Sequence, residues 1–141
     1  MATSLQYAIP GSFAQTFTAG ATLTVGQAVK MDSTVGQVVA CTAATDVLVG
    51  FVQSDSALSG EPISIVVSGP ALVLCGATAI PSTTPVVTGA TAGTVVPWTA
   101  SGSKRQYARI IGYGGEAGGG SLTTAAGDLR LAIIIGGIVV D

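Results

Sequence analysis

The chain has 141 residues, of which 48% are hydrophobic and only 9% charged, and its net charge is −2. That length suits one domain with a core of its own. The absence of Asn and His removes N-glycosylation sequons, the commonest general base and the commonest metal ligand together, and so small a charge without a Lys/Arg stripe gives no footprint for nucleic acid.

In chain order, residues 1–19 read as an extended N-terminal arm. They lack the basic start and continuous apolar run of a secretory signal, which points to synthesis in the cytoplasm. Pro10-Gly11 interrupts any regular element. Tyr7, Phe13 and Phe17 need an apolar surface, either the chain's own core or a neighbour's. From there on β-branched residues dominate, and Gly and Pro recur at about the eight-to-twelve-residue spacing of short strands. No amphipathic helical period persists beyond about two turns. Strands are predicted over residues 22–25, 28–31, 38–42, 47–54, 63–68, 71–75, 85–88, 94–99, 108–113 and 129–135. The fold class is therefore all-β, a barrel or sandwich.

Within residues 63–68, Ile63, Ile65 and Val67 alternate with Ser64, Val66 and Ser68, giving one strongly apolar face and one only weakly polar. Val66 marks the second face, which is expected to meet a neighbouring subunit. The same alternation returns late in the chain, where Leu129, Leu131, Ile133 and Ile135 alternate with Arg130, Ala132 and Ile134. Both runs follow a Gly-acid pair, Gly60-Glu61 and Gly127-Asp128. This belongs to a longer echo: "GATLTVGQAV" from Gly20 against "GATAIPSTTPVV" from Gly76, "GQVV" from Gly36 against "GTVV" from Gly93, and "VLVGFV" against "RIIGYG". Either the echo is chance in a chain rich in Ala, Gly, Thr and Val, or residues 20–75 and 76–141 are two similar β-lobes.

Leu131 to Val140 is the most apolar stretch, half the length of a membrane span and interrupted by Gly136 and Gly137, so a strand is expected there. Cys41 and Cys75 lie in apolar sequence and read as buried free thiols, with a disulfide between them as the alternative. "GGEAGGGS", residues 114–121, reads as a flexible insert. Lys104, Arg105 and Arg109 beside Tyr107 form the charge cluster of the chain. As a strand this segment puts Arg105, Tyr107 and Arg109 on one face, suited to an acidic partner surface or else serving solubility.

A monomer of this size exposes roughly 6,600 Å², and five basic and seven acidic side chains are all the charge there is to cover it. Either the surface is neutral Thr, Ser and Ala, or partner subunits cover much of it. Catalytic machinery is missing: no His can serve a Ser or Cys nucleophile, and two cysteines 34 residues apart make no zinc pattern. The acids Asp32, Asp46, Asp55, Glu61, Glu116, Asp128 and Asp141 all stand in turn-like sequence. No enzyme activity, cofactor or metal is expected.

The cadence G-x-x-V … G-x-V … V-x-G … A-x-x-G-E-x-I-x-V, over residues 19–76 and more weakly to the end, resembles the small head decoration, or capsid cement, proteins of tailed double-stranded DNA bacteriophages. The resemblance implies a β-rich, often trimeric protein on the outer surface of the assembled virion head, where it clamps neighbouring major capsid proteins. Its partners would be the major capsid protein and further copies of itself, without nucleic acid or membrane. Other readings are another virion structural protein, such as a head fibre base, a tail component or a minor shell subunit, or a receptor- or carbohydrate-binding β-module. The last is poorly served by a single Trp, Trp98.

Overall fold

In the computed structural model, residues 11–54, 56–100, 104–113 and 123–139 are described. Among these residues twelve strands follow in chain order: β1 (Phe13–Ala19), β2 (Leu23–Thr24), β3 (Ala28–Met31), β4 (Gln37–Ala40), β5 (Gly50–Val52), β6 (Ser56–Ala57), β7 (Pro62–Ser68), β8 (Pro70–Leu74), β9 (Val86–Gly89), β10 (Val95–Pro97), β11 (Arg105–Ile110) and β12 (Leu129–Val139). A single 3₁₀ turn at Thr91–Gly93 separates β9 from β10. The chain is all-β, as its composition dictates.

The first five long strands close a barrel in the order β1-β4-β3-β5-β7, and the second five form a sheet ordered β10-β9-β11-β12-β8. Just past β8, Cys75 bridges Val95 of β10 in parallel, repeating the parallel pairing of β1 with β4. Both sheets therefore run through one strand order. Their closing hydrogen bonds repeat as well. Ala19 N–H donates to Glu61 O at 2.8 Å and Gly60 N–H to Ala19 O at 2.7 Å, while Cys75 N–H donates to Asp128 O at 2.8 Å and Gly127 N–H to Cys75 O at 2.9 Å. Gly20 N–H reaches Val38 O, and Gly76 N–H reaches Val95 O, each at 2.8 Å. The glycines of the "VLVGFV" and "RIIGYG" echo also share a task. A Cβ on Gly50 would lie 2.0 Å from Val66 O, and one on Gly112 would lie 2.9 Å from Leu131 N, so each lets a strand or its extension pass close to β7 or β12.

Two cores result. The barrel interior holds Ala19, Leu23, Val29, Val38, Val52, Ile63 and Ile65, with Phe17 packed against them. The other core joins the inner face of the second sheet, Val73, Cys75, Val87, Val95, Ala108, Ile110 and Ala132, to Ala28, Phe51 and Val66 on the outside of the barrel. Cross-strand register puts Ala28, Phe51 and Val66 on one barrel face, and the second sheet covers it.

Several expectations are corrected by this packing. Residues 13–19 are not part of an arm: they are β1, antiparallel to β7 from Phe13↔Ser68 to Thr18↔Pro62. The alternation that would have revealed β1 is hidden because Gln15, Thr16 and Phe13 are exposed and only Ala19 is fully buried. Residues 1–10, with Tyr7, lie outside the described residues, as does the whole Gly-rich segment 114–121. Val66, expected to face a neighbour, is 2% exposed within its own chain. β12 keeps its alternation but turns it inside out, since Arg130 and Ala132 are buried while Leu129, Leu131 and Ile133 are not. Finally, Arg105, Tyr107 and Arg109 do not share a face. Gln106 pairs with Ile138 but Ala108 pairs with Ile134, so the register breaks at Tyr107. Both Tyr107 and Ala108 then turn inward.

Candidate interaction surface

Direct cross-strand partners lie on the same side of a sheet, so register defines the outer face of the second sheet. Leu129 stands opposite Leu74, Leu131 opposite Leu72, and Ile133 opposite Pro70. Arg109 stands opposite Ile133 on one side and Val86 on the other. Ile111, two residues on from Arg109, continues this face beside Leu131, to whose carbonyl its N–H donates at 2.9 Å. The inner partners Arg130↔Val73 and Ala132↔Ala71 are buried. The outer side is thus a leucine and isoleucine surface, half-buried at Leu72, Leu74, Leu129 and Leu131 and 40% exposed at Ile133. Contiguous apolar surface of this kind makes the face a candidate for contact with a partner.

Charge around the face is set by elimination. Of the five basic residues, Lys30 pairs with Asp46 at 3.1 Å and Arg130 with Asp128 at 3.0 Å. The other three, Lys104, Arg105 and Arg109, lie on or beside β11. Arg105 and Tyr107 are committed inside the chain. Arg105 Nε donates to Thr45 O at 3.3 Å, and the Tyr107 hydroxyl donates to Asp46 O at 2.6 Å. Together they tie β11 to the 42–46 turn of the first barrel. Arg109 is exposed on the outer face.

The sequence-predicted residues therefore scatter. Phe13 is 55% exposed at the start of β1, Phe17 packs in the barrel, Val66 and Tyr107 are buried, and Lys104 and Arg105 are half-buried. Only Arg109 belongs to the outer face of the second sheet. The leucines of that face were missed, although a signal existed. Counting from the Gly-acid pairs puts Ile63 and Arg130 at equivalent places, both inward, so Leu129, Leu131 and Ile133 must point out.

The buried polar groups are structural. Arg130, 1% exposed, donates to Gly112 O at 2.9 Å, to Thr123 O at 3.3 Å and to Asp128, and lies 5.8 Å over the Tyr113 ring. The N–H of Ala125 and the Arg130 guanidinium hold the Asp128 carboxyl below the usual carboxylate range, outweighing its desolvation. For Asp46, burial pushes upward, but the N–H groups of Thr42 and Ala43 and the Lys30 ammonium together bring it below that range. Burial pushes both thiols, Cys41 and Cys75, up to about 11, and both are free and buried. Asp32, Asp46, Glu61 and Asp128 each accept backbone N–H bonds in turns. Among the described residues no group of three His, Cys, Asp or Glu side chains is arranged to hold a metal.

At the far edge of the outer face lies a cleft of about 300 Å³ lined by Thr83, Thr84, Pro85, Val86 and Trp98. Trp98 is fixed there by two bonds, its backbone N–H to Val86 O at 2.9 Å and its indole N–H to Lys104 O at 3.2 Å.

No family model and no curated protein matches the sequence. The fold is similar to the crystal structure of the head fibre gp8.5 N base of bacteriophage phi29, with a TM-score of 0.62 and 13% sequence identity, over 92% of this chain and 99% of that one.

Proposed function

We propose that this chain is a structural protein of a phage virion, a decoration or cement protein that sits on the outside of the head and bears on the major capsid protein and on copies of itself, as a trimer. The observation that carries the reading is the outward leucine and isoleucine face of β8 and β12, with Leu72, Leu131 and Ile133 at its centre. A surface so apolar beside so few charges is suited to permanent cover by protein rather than to water. The likeness in fold to a head fibre base over nearly the whole of both chains supports the virion part of the reading. The low charge fits attachment by burial rather than by electrostatic steering, and many equivalent sites on a shell multiply modest contacts.

The experiment is attachment to shells that lack the protein. The wild-type chain is expected to saturate preformed shells, and Ile133→Lys to lose attachment while its melting temperature stays within a few degrees. An Ile133→Lys chain that decorates shells like wild type overturns the assignment of this face. Shells that cannot form at all without the protein would make it a shell subunit rather than a decoration.

A further inference from the structure

We infer that the Trp98 cleft is a docking pocket for one apolar side chain carried by an acidic segment of a partner protein. The shape and the lining chemistry argue for the apolar anchor. About 300 Å³ is bounded by the indole of Trp98, by Pro85 and Val86, and by two threonines. The indole N–H is already spent on Lys104 O, so what Trp98 can offer a ligand is ring carbon. Aromatic surface held in one orientation binds at little entropic cost, as interface anchors do.

The acidic context comes from the rim. Arg109 is exposed directly opposite Val86 in the β9–β11 ladder, and Lys104 is the residue whose carbonyl holds the indole. Arg109 and Lys104 thus bring two of the five basic residues to this corner of a chain whose net charge is −2. A carboxylate beside the anchor meets complementary charge from Arg109 here. A saccharide is the poorer fit. Each sugar hydroxyl taken out of water needs a partner, and among the described residues the lining supplies two threonine hydroxyls and no side-chain amide or carboxylate.

Trp98 is the only Trp, so its fluorescence reports on the pocket alone. The full chain is used to select from a displayed random-peptide library, with a galacturonic acid oligomer as the saccharide probe. Selected peptides are expected to carry one aliphatic or proline residue flanked by Asp or Glu, and to shift Trp98 emission. Binding should weaken at least fivefold in Arg109→Glu, and be lost in Thr84→Arg, which fills the cleft from an exposed turn and leaves Trp98 in place. Raising salt from about 0.05 M to 0.5 M should weaken it severalfold. Selection of neutral or basic peptides, indifference to both variants, or an emission change with the oligomer alone overturns the inference. The shell reading is tested separately. If Thr84→Arg loses the peptides but still decorates shells, the pocket stands and serves a partner other than the shell. If no acidic peptide is selected while shells are decorated, the pocket falls and the shell reading stands.

Discussion

Val66 and Ile133 answer to opposite solvents although both stand on outward faces of their sheets. Val66 is sealed against the second sheet at 2% exposure, whereas Ile133 remains 40% exposed. Val66→Lys is therefore expected to unfold the chain, by several kcal/mol, because it buries an unpaired ammonium. The check is circular dichroism, and a folded Val66→Lys protein would mean that the sheets do not pack across this residue. Arg130 is the reverse case, a cation among core side chains, kept there by Gly112, Thr123 and Asp128. Removing it in Arg130→Met should cost about 1–3 kcal/mol through the buried Gly112 carbonyl that loses its donor. The pH dependence has a fixed sign. Asp128 and Asp46 titrate lower in the folded chain than in the unfolded one, so they contribute stability above the unfolded value of about 3.9. That contribution is lost as pH falls through their lowered folded values. The melting temperature should hold level from about pH 7 to 5 and fall below about 4, and Asp128→Asn should flatten part of that fall.

At the scale of the element, β7 and β12 explain how equal alternations come to opposite ends. The two strands follow their Gly-acid turns identically, but the residue that enters the core is Ile63 in one and Arg130 in the other. Ile65→Ala should cost about 2–5 kcal/mol through the cavity left in the barrel. Leu131→Ala, on the open side, should change the stability of the isolated chain by less than about 1 kcal/mol. Thermal melts of the two variants make the comparison. The ten strands read from the sequence each correspond to a strand of the structure. The missing pair, β1 and β6, were illegible because β1 exposes Phe13 together with Gln15 and Thr16 and buries only Ala19 fully, and β6 is only Ser56–Ala57. Tyr107 was misplaced because no alternation argument anticipates a register break, here opposite Ile135, Gly136 and Gly137.

For the whole molecule, the common strand order and the repeated closing bonds lead us to propose that the halves are copies of one unit. They are not independent folding units, because the core of the second sheet includes Phe51 and Val66 from the first barrel. Residues 76–141 made alone should fail to give a cooperative melt, whereas the full chain should melt in one transition. Light scattering at micromolar concentration should give a mass above the monomer, lowered to the monomer by Leu131→Glu. A wild-type monomer would leave self-association to the shell surface alone.

The sequence by itself determined the all-β class, the turn positions, the apolar setting of both cysteines and the lack of any His. These follow from residue type and local spacing. It also carried the echo between halves, because strand order and glycine placement repeat locally. Which apolar face meets water was decided only by the tertiary structure. Alternation tells that a strand has two sides, but whether Val66 is covered and Ile133 open depends on where the second sheet comes to rest against the barrel. The same holds for Arg105 and Tyr107, whose partners at Thr45 and Asp46 are brought near only when the second sheet closes over the first barrel.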